Sequence, residues 1–250
     1  MRFFLISLEQ LVGKQGPPRE GEERLLNKQR NKQRNKQSHS LVSVPPHFLH
    51  RDIIDDWSAL QLASIEAGFD LAVVSAYRSF ERQLLIWNEK ANGKRPLLDA
   101  DGSVLDVSDL DERSAVFAIL RWSALPGGSR HHWGTDIDVY DRAAVASEYG
   151  VQLVAEEVNK GGVFDPMHNW LDTRIEASRA HGFYRPYQGG ASQGVAVERW
   201  HLSHRPTAEH FSRLLTAETL YGLLEQEANM CLRDTVLANF DEIFTRYIAC

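Results

Sequence analysis

Between Asn27 and Gln37 the chain reads Asn-Lys-Gln-Arg twice and then Asn-Lys-Gln, eleven consecutive residues without one apolar side chain. Such a segment has nothing to bury, so no core offsets the conformational entropy lost on ordering it. It bounds the fold from the N-terminal side: residues 1–43 read as a basic low-complexity arm, disordered or at most an exposed helix. Charge divides the chain in the same place. Residues 1–40 carry nine Lys/Arg and four Asp/Glu, against nineteen and thirty in residues 41–250, within a net charge of -6. The six basic residues from Arg24 to Lys36 meet no acidic ones, a pattern that could serve as an electrostatic arm for nucleic acid or anionic lipid. No aromatic residues are interleaved to stack on bases, so no nucleic-acid partner is expected.

The remainder has the makeup of a globular protein, the whole chain of 250 residues being 43% hydrophobic and 25% charged. No apolar run approaches the eighteen or so residues of a spanning helix, so no transmembrane segment is expected. The opening from Met1 to Leu8 is similar to the start of a signal peptide, but Glu9 interrupts it and no small-residue cleavage site follows. Cys231 and Cys250 are too few for a disulfide framework. The expectation is a cytoplasmic protein as the chain is written, or an exported one if the true start differs.

Apolar spacing gives the elements. Ile53, Trp57, Leu60 and Ser64 predict an amphipathic helix over residues 49–67, stopped by Gly68. Residues 69–77 read as a buried strand and 80–89 as a helix. Residues 91–112 are polar, and Asp99-Ala-Asp101-Gly102 reads as a turn because the later ligands of a calcium loop are missing. A helix over 113–124 and a strand over 135–140 follow. Asp165 is expected to cap a helix that has Pro166 at its first position and ends by Gly182. Phe183-Tyr184 and residues 195–202 read as antiparallel strands, and everything beyond Thr207 as helical. Strands and helices do not alternate regularly, which predicts an α+β fold: a small antiparallel sheet flanked by helices, in a domain over residues 44–206 with a helical extension, 207–250, packed on it.

Most of the ten histidines need no special role. His168, His181, His204 and His210 read as structural, and Trp133 and Trp200 as packing. His131 and His132 follow a Gly-Gly-Ser loop, and His201 lies in Glu198-Arg-Trp-His. Asp138 sits between apolar neighbours on its strand and so faces away from them. Gly134 allows the chain to turn, so that a loop histidine can swing over Asp138. Glu198 and His201, three apart, need a helical turn or a kinked strand to share a site; Val195, Val197 and Trp200 favour the kinked strand. Two imidazoles and one carboxylate would leave the open fourth position of a catalytic zinc site, with Glu198 as the base that accepts a proton from water.

Ser129-Arg-His131-His-Trp-Gly134-Thr-Asp-Ile-Asp138 resembles the S-x-H-x-x-G-x-A-x-D signature of the zinc D-alanyl-D-alanine carboxypeptidases and dipeptidases of the vancomycin-resistance type, which are grouped by fold with lysostaphin and hedgehog. Glu198-Arg-Trp-His201 resembles their E-x-W-H motif, and Ser75-Ala-Tyr-Arg78-Ser79-Phe-Glu-Arg-Gln83 their S-x-Y-R-S-x-x-x-Q segment, all in the family's order. The resemblance implies one Zn2+ ion on His131, Asp138 and His201, with Glu198 as base and Arg78 stabilising the oxyanion. It also implies substrate-binding roles for Ser129 and Gln83. A one-residue shift would make His132 the ligand instead of His131. Asp136 departs from the signature, which has Ala there; the added charge could orient a histidine, strengthen metal binding or alter substrate choice.

The implied activity is zinc-dependent hydrolysis of a bond next to a D-amino acid in a peptidoglycan stem peptide or its precursor, removing terminal D-Ala. The alternative is a non-catalytic zinc-containing module that binds cell-wall peptide or a protein partner.

Overall fold

The computed structural model describes residues 6–17, 40–190 and 193–249; the Asn-Lys-Gln-Arg repeat lies outside them. The first described element falls inside the segment read as an arm. Helix α1 (Leu8–Leu11) is started by a capping box, in which the Ser7 side chain accepts from the Gln10 N–H while the Gln10 side chain receives the Ser7 N–H. Leu11 and Val12 behind it are buried in an apolar cluster. For these residues the disordered-arm expectation fails, because two side chains with a core to enter outweigh the polar context around them.

A hairpin of β1 (Leu41–Val44) and β2 (His47–His50) leads through one 3-10 turn into α2 (Ile54–Glu66). The predicted helix over 49–67 thus loses its first residues to β2. Next come β3 (Leu71–Ser75) and α3 (Phe80–Ala91), a short hairpin β4 (Leu97–Leu98) with β5 (Val104–Leu105), and α4 (Glu112–Trp122). Asp99 makes the turn of that hairpin, its carboxylate accepting from the N–H groups of Asp101 and Ser103. After a 3-10 turn at Arg130–Trp133 comes β6 (Asp136–Asp141), then α5 (Ala155–Val158), α6 (Asp165–Glu176), β7 (Phe183–Tyr184) and β8 (His201–His204). Helices α7 (Arg205–Leu214), α8 (Ala217–Glu225), α9 (Arg233–Ala238) and α10 (Phe240–Ile243) end the described chain with one π-helical turn, Phe244–Ile248. The fold is α+β, as the pattern predicted.

The central sheet has the order β3-β6-β8-β7, every pair antiparallel. Alternation along the strands divides its two faces. Ile137 and Val139 of β6, with Leu202 of β8, are fully buried against Trp57 and Leu60 of α2 and Met167 and Leu171 of α6. Burying each such side chain stabilises the fold by about 1.5–3 kcal/mol, so register is strongly fixed: a one-residue slip would place Asp136 and Asp138 in the core. The opposite face then carries Asp136, Asp138, His201 and Ser203. A second cluster gathers Trp87, Val116, Ile119 and Trp133 with Phe211, Leu220, Val236 and Ile243 from the C-terminal helices.

Besides the start of α2, two further readings differ from the structure. Asp165 is the first residue of α6 and not its cap; its carboxylate instead receives the Gly161 N–H and Arg199. Residues 195–200 are not a strand: β8 begins only at His201.

Candidate metal centre

Register assembles the centre. Asp138 on β6 pairs directly with His201 on β8, and Ser75 of β3 lies opposite Asp138 on the other side. Residues paired in this way project to one face. The Glu198-Arg-Trp-His segment is a turn and not a kinked strand, closed by a hydrogen bond from the His201 N–H to the Glu198 carbonyl at 3.1 Å. The turn wins because Trp200 is buried with Val158 and Phe164 while Val197 remains 54% exposed. It puts Glu198 Oε2 3.6 Å from His201 Nδ1.

Gly134 closes the loop that carries the first histidine, with φ +69. A Cβ there would lie 2.6 Å from Leu41 Cδ2 and 2.9 Å from the His50 nitrogen, so both the conformation and the space call for glycine. His131 and His132 are thereby separated in role. His132 has both ring nitrogens occupied: Nε2 accepts from the Gly127 N–H at 3.1 Å and Nδ1 donates to the Arg78 carbonyl at 2.6 Å. His131 donates from Nδ1 to the Ala76 carbonyl at 2.8 Å, which leaves Nε2 with its lone pair, 3.4 Å from Asp138 Oδ2. Burial pushes its pKa down to about 4, so the ring is neutral.

His201 has Nδ1 3.1 Å from Asp138 Oδ1 and Nε2 3.0 Å from Asp136 Oδ1. Burial alone would lower its pKa, but the hydrogen bonds to Asp136 and Asp138 raise it to about 10. One ligand atom from each of His131, Asp138 and His201 lies within 4.8 Å of the others, all three residues buried. Two imidazoles and a carboxylate are a donor set suited to zinc, and a buried acidic pair that otherwise holds a proton on His201 is an environment a cation fits.

Arg78 lies beside the centre, within electrostatic reach of Asp138 and Glu198. Its guanidinium donates to Gln83 Oε1 at 2.9 Å and Ser75 Oγ at 3.2 Å. Gln83 is fully buried and donates in turn to the Ala124 carbonyl at 2.7 Å, so it stands behind Arg78 instead of lining open space. Ser129 is buried, and its Oγ has no hydrogen-bond partner among the described residues. Burial pushes the Glu198 carboxyl up to about 7; Asp138 adds to the rise, while His201, Arg78 and Lys90 pull it down. Lys90 was not singled out from sequence, yet it follows Gln83 by seven residues on α3 and so returns to the same helix face. Trp133 stacks on Phe211 with centroids 5.5 Å apart, and Trp200 packs in the core, as expected of both. His204 donates from Nε2 to the Asp56 carboxylate at 3.0 Å and accepts at Nδ1 from the Thr207 hydroxyl at 2.9 Å, on the face of β8 opposite His201.

A model of the VanY family, D-alanyl-D-alanine carboxypeptidase, matches residues 46–207. Two uncharacterized proteins of Haemophilus influenzae are similar in sequence. One is 46% identical over 79 residues, 32% of this chain and 54% of that protein; the other is 30% identical over 125 residues, 50% and 92%. The chain therefore spans about half the length of the first of these relatives. Solved structures similar to it include a vancomycin-resistance D,D-pentapeptidase VanY variant from a VanB-type cassette in complex with Zn(II), at TM-score 0.47 and 21% identity, covering 80% of this chain and 90% of that one. The LdcB LD-carboxypeptidase is similar at TM-score 0.47 and 22% identity, covering 73% and 77%. The matched segment contains all three motifs in order, and the chain belongs to the VanY family of D-alanyl-D-alanine carboxypeptidases.

Proposed function

We propose that this chain is a zinc-dependent peptidase that removes terminal D-Ala from a peptidoglycan stem peptide or its precursor. The observation that carries the reading is the convergence of His131, Asp138 and His201 within 4.8 Å, with Glu198 3.6 Å from His201 and Arg78 within electrostatic reach of Asp138 and Glu198. A pure binding module needs the three ligands but neither Glu198 nor Arg78.

His131 Nε2, an Asp138 oxygen and His201 Nδ1 would hold the ion. Zinc in such a site supplies Lewis acidity toward a carbonyl and acidifies water. Glu198 accepts a proton as water adds to the scissile carbonyl and delivers it to the departing amine when the C–N bond breaks; the products are D-Ala and a peptide one residue shorter. A carboxyl raised by burial toward neutrality is suited to both transfers. Arg78, held by Gln83 and Ser75, donates to the carbonyl oxygen as it becomes anionic. Ser129 Oγ, which has no hydrogen-bond partner among the described residues, would donate to the substrate's terminal carboxylate.

The test incubates purified full-length protein with a muropeptide ending in D-Ala-D-Ala, with and without a chelator, beside Glu198→Ala. Expected are D-Ala release by the wild type, its loss on chelation with recovery on adding zinc, and a fall of about 10²–10⁴-fold in the variant. Tight zinc binding without any D-Ala release would favour the binding module instead.

A further inference from the structure

Asp136 occupies the alanine position of the signature, and its surroundings give it a specific task. Strand alternation puts it on the face of Asp138, and register sets it opposite Ser203, one step beyond the Asp138–His201 pair. It is fully buried, as is Arg130 to within 8%. Asp136 Oδ1 receives Arg130 Nε at 2.9 Å and His201 Nε2 at 3.0 Å, and Oδ2 receives the Thr135 hydroxyl at 2.6 Å. Arg130 is itself fixed from the far side: Nη2 donates to Ser203 Oγ at 2.7 Å and Tyr184 Oη at 3.0 Å, and Nη1 to Ser212 Oγ at 3.3 Å. With both oxygens engaged and the His201 ring standing between it and Asp138, Asp136 is not placed to be a ligand.

The two imidazoles are therefore presented to the centre by opposite nitrogens. His131 is held at Nδ1 by a neutral backbone carbonyl and offers Nε2. His201 is held at Nε2 by a carboxylate and offers Nδ1. We propose that Asp136, itself held by Arg130, is a positioning residue that keeps the His201 ring turned with Nδ1 toward the metal and strengthens it as a ligand. A carboxylate partner on the far nitrogen of a ligating imidazole fixes its tautomer and raises its basicity. Arg130, fixed by Ser203, Tyr184 and Ser212, supplies the counter-charge a buried carboxylate requires. The inference rests on the zinc-site reading above but concerns binding of the ion and not turnover.

The experiment uses full-length protein loaded with cadmium-113, together with zinc affinity measured by competition with a chelator. A cadmium ion on Nδ1 couples to the Hε1 proton of that ring alone, whereas one on Nε2 couples to both ring carbon-bound protons. Expected for the wild type is Nε2 coupling for His131 and Nδ1 coupling for His201. Asp136→Asn keeps a hydrogen-bond acceptor and loses the charge. Asp136→Ala combined with Arg130→Met removes both members of the buried pair, so that no unpaired charge prevents folding. Zinc affinity should fall about 10- to 100-fold in the double variant, with Asp136→Asn between it and the wild type, and the single Nδ1 pattern of His201 should be lost in the double variant. Wild-type ligation by Nε2 of His201 would overturn the proposal, as would unchanged affinity and coupling in the folded double variant. A protein that binds the ion as described but releases no D-Ala would overturn the proposed function alone; one that binds no ion would overturn both.

Discussion

Gln83 touches Arg78 with its carbonyl oxygen and the Ala124 carbonyl with its amide nitrogen, and so fixes where the guanidinium points. Hydrogen bonds to charged groups are worth about 1.5–3 kcal/mol. If Arg78 acts on an oxyanion, losing that support in Gln83→Leu should lower kcat/KM about 10- to 100-fold, chiefly through kcat, while zinc content stays at the wild-type level. Unchanged kcat in a folded variant would remove Gln83 from the machinery. At this scale the sequence was most legible where a motif names residues: His131 and Asp138 from one motif and His201 from another meet at the centre. It was less legible where a role depends on direction. The motif implies a substrate-binding role for Gln83, but its burial on α3 between Arg78 and the Ala124 carbonyl makes it a support for Arg78 instead. Arg130 gave no signal, because an arginine beside two histidines looks solvated until Asp136, Ser203, Tyr184 and Ser212 are seen around it.

Among the elements, α7 has the least obvious tie to the centre and a direct one. It begins immediately after β8, and its Phe211, 3% exposed, stacks on Trp133 in the loop that carries His131. The same ring meets His50 edge-on at 5.4 Å. Phe211→Ala should cost about 3–5 kcal/mol of stability, measured by urea unfolding, and should loosen the loop, lowering zinc affinity as well. A loss below about 1 kcal/mol would mean that α7 does not brace the loop. Long periodic elements, α2, α3 and α4, were legible because apolar spacing over three turns has few other solutions. The short ones were not. Helix α1 has four residues, too few for periodicity, although Ser7-Leu-Glu-Gln10 carries the capping-box pattern. At the Glu198 to His201 turn, Val195, Val197 and Trp200 suggested extended chain, and tertiary burial of Trp200 overrode them.

For the molecule as a whole, acid sensitivity follows from histidines outside the metal centre. His168 of α6 is fully buried. Burial pushes its pKa down to about 2, and Arg185 and Arg199 add to the fall against the smaller attraction of Asp165. Its Nδ1 lies 3.3 Å from Arg185 Nη2 and must accept from it, so protonation would set two cations in contact. His50 is pushed down to about 4 by burial, with Arg51, His204 and His210 adding to the fall and Asp52 opposing it. In the unfolded chain both titrate near 6.5. Above that pH neither state binds the protons and these groups give no slope. Below it only the unfolded state does, so stability falls with falling pH, by up to about 1.4 kcal/mol per unit for each group, down to its folded pKa. In urea unfolding of the zinc-free protein, where His201 and Glu198 of the metal centre add their own pH dependence, His50 and His168 should contribute no slope from pH 8 to 7 and a slope toward lower stability from 6.5 to 5. His168→Gln, which cannot titrate, should reduce that slope by close to one proton. The same slope in the variant as in the wild type would show that His168 is protonated in the folded protein, contrary to its surroundings.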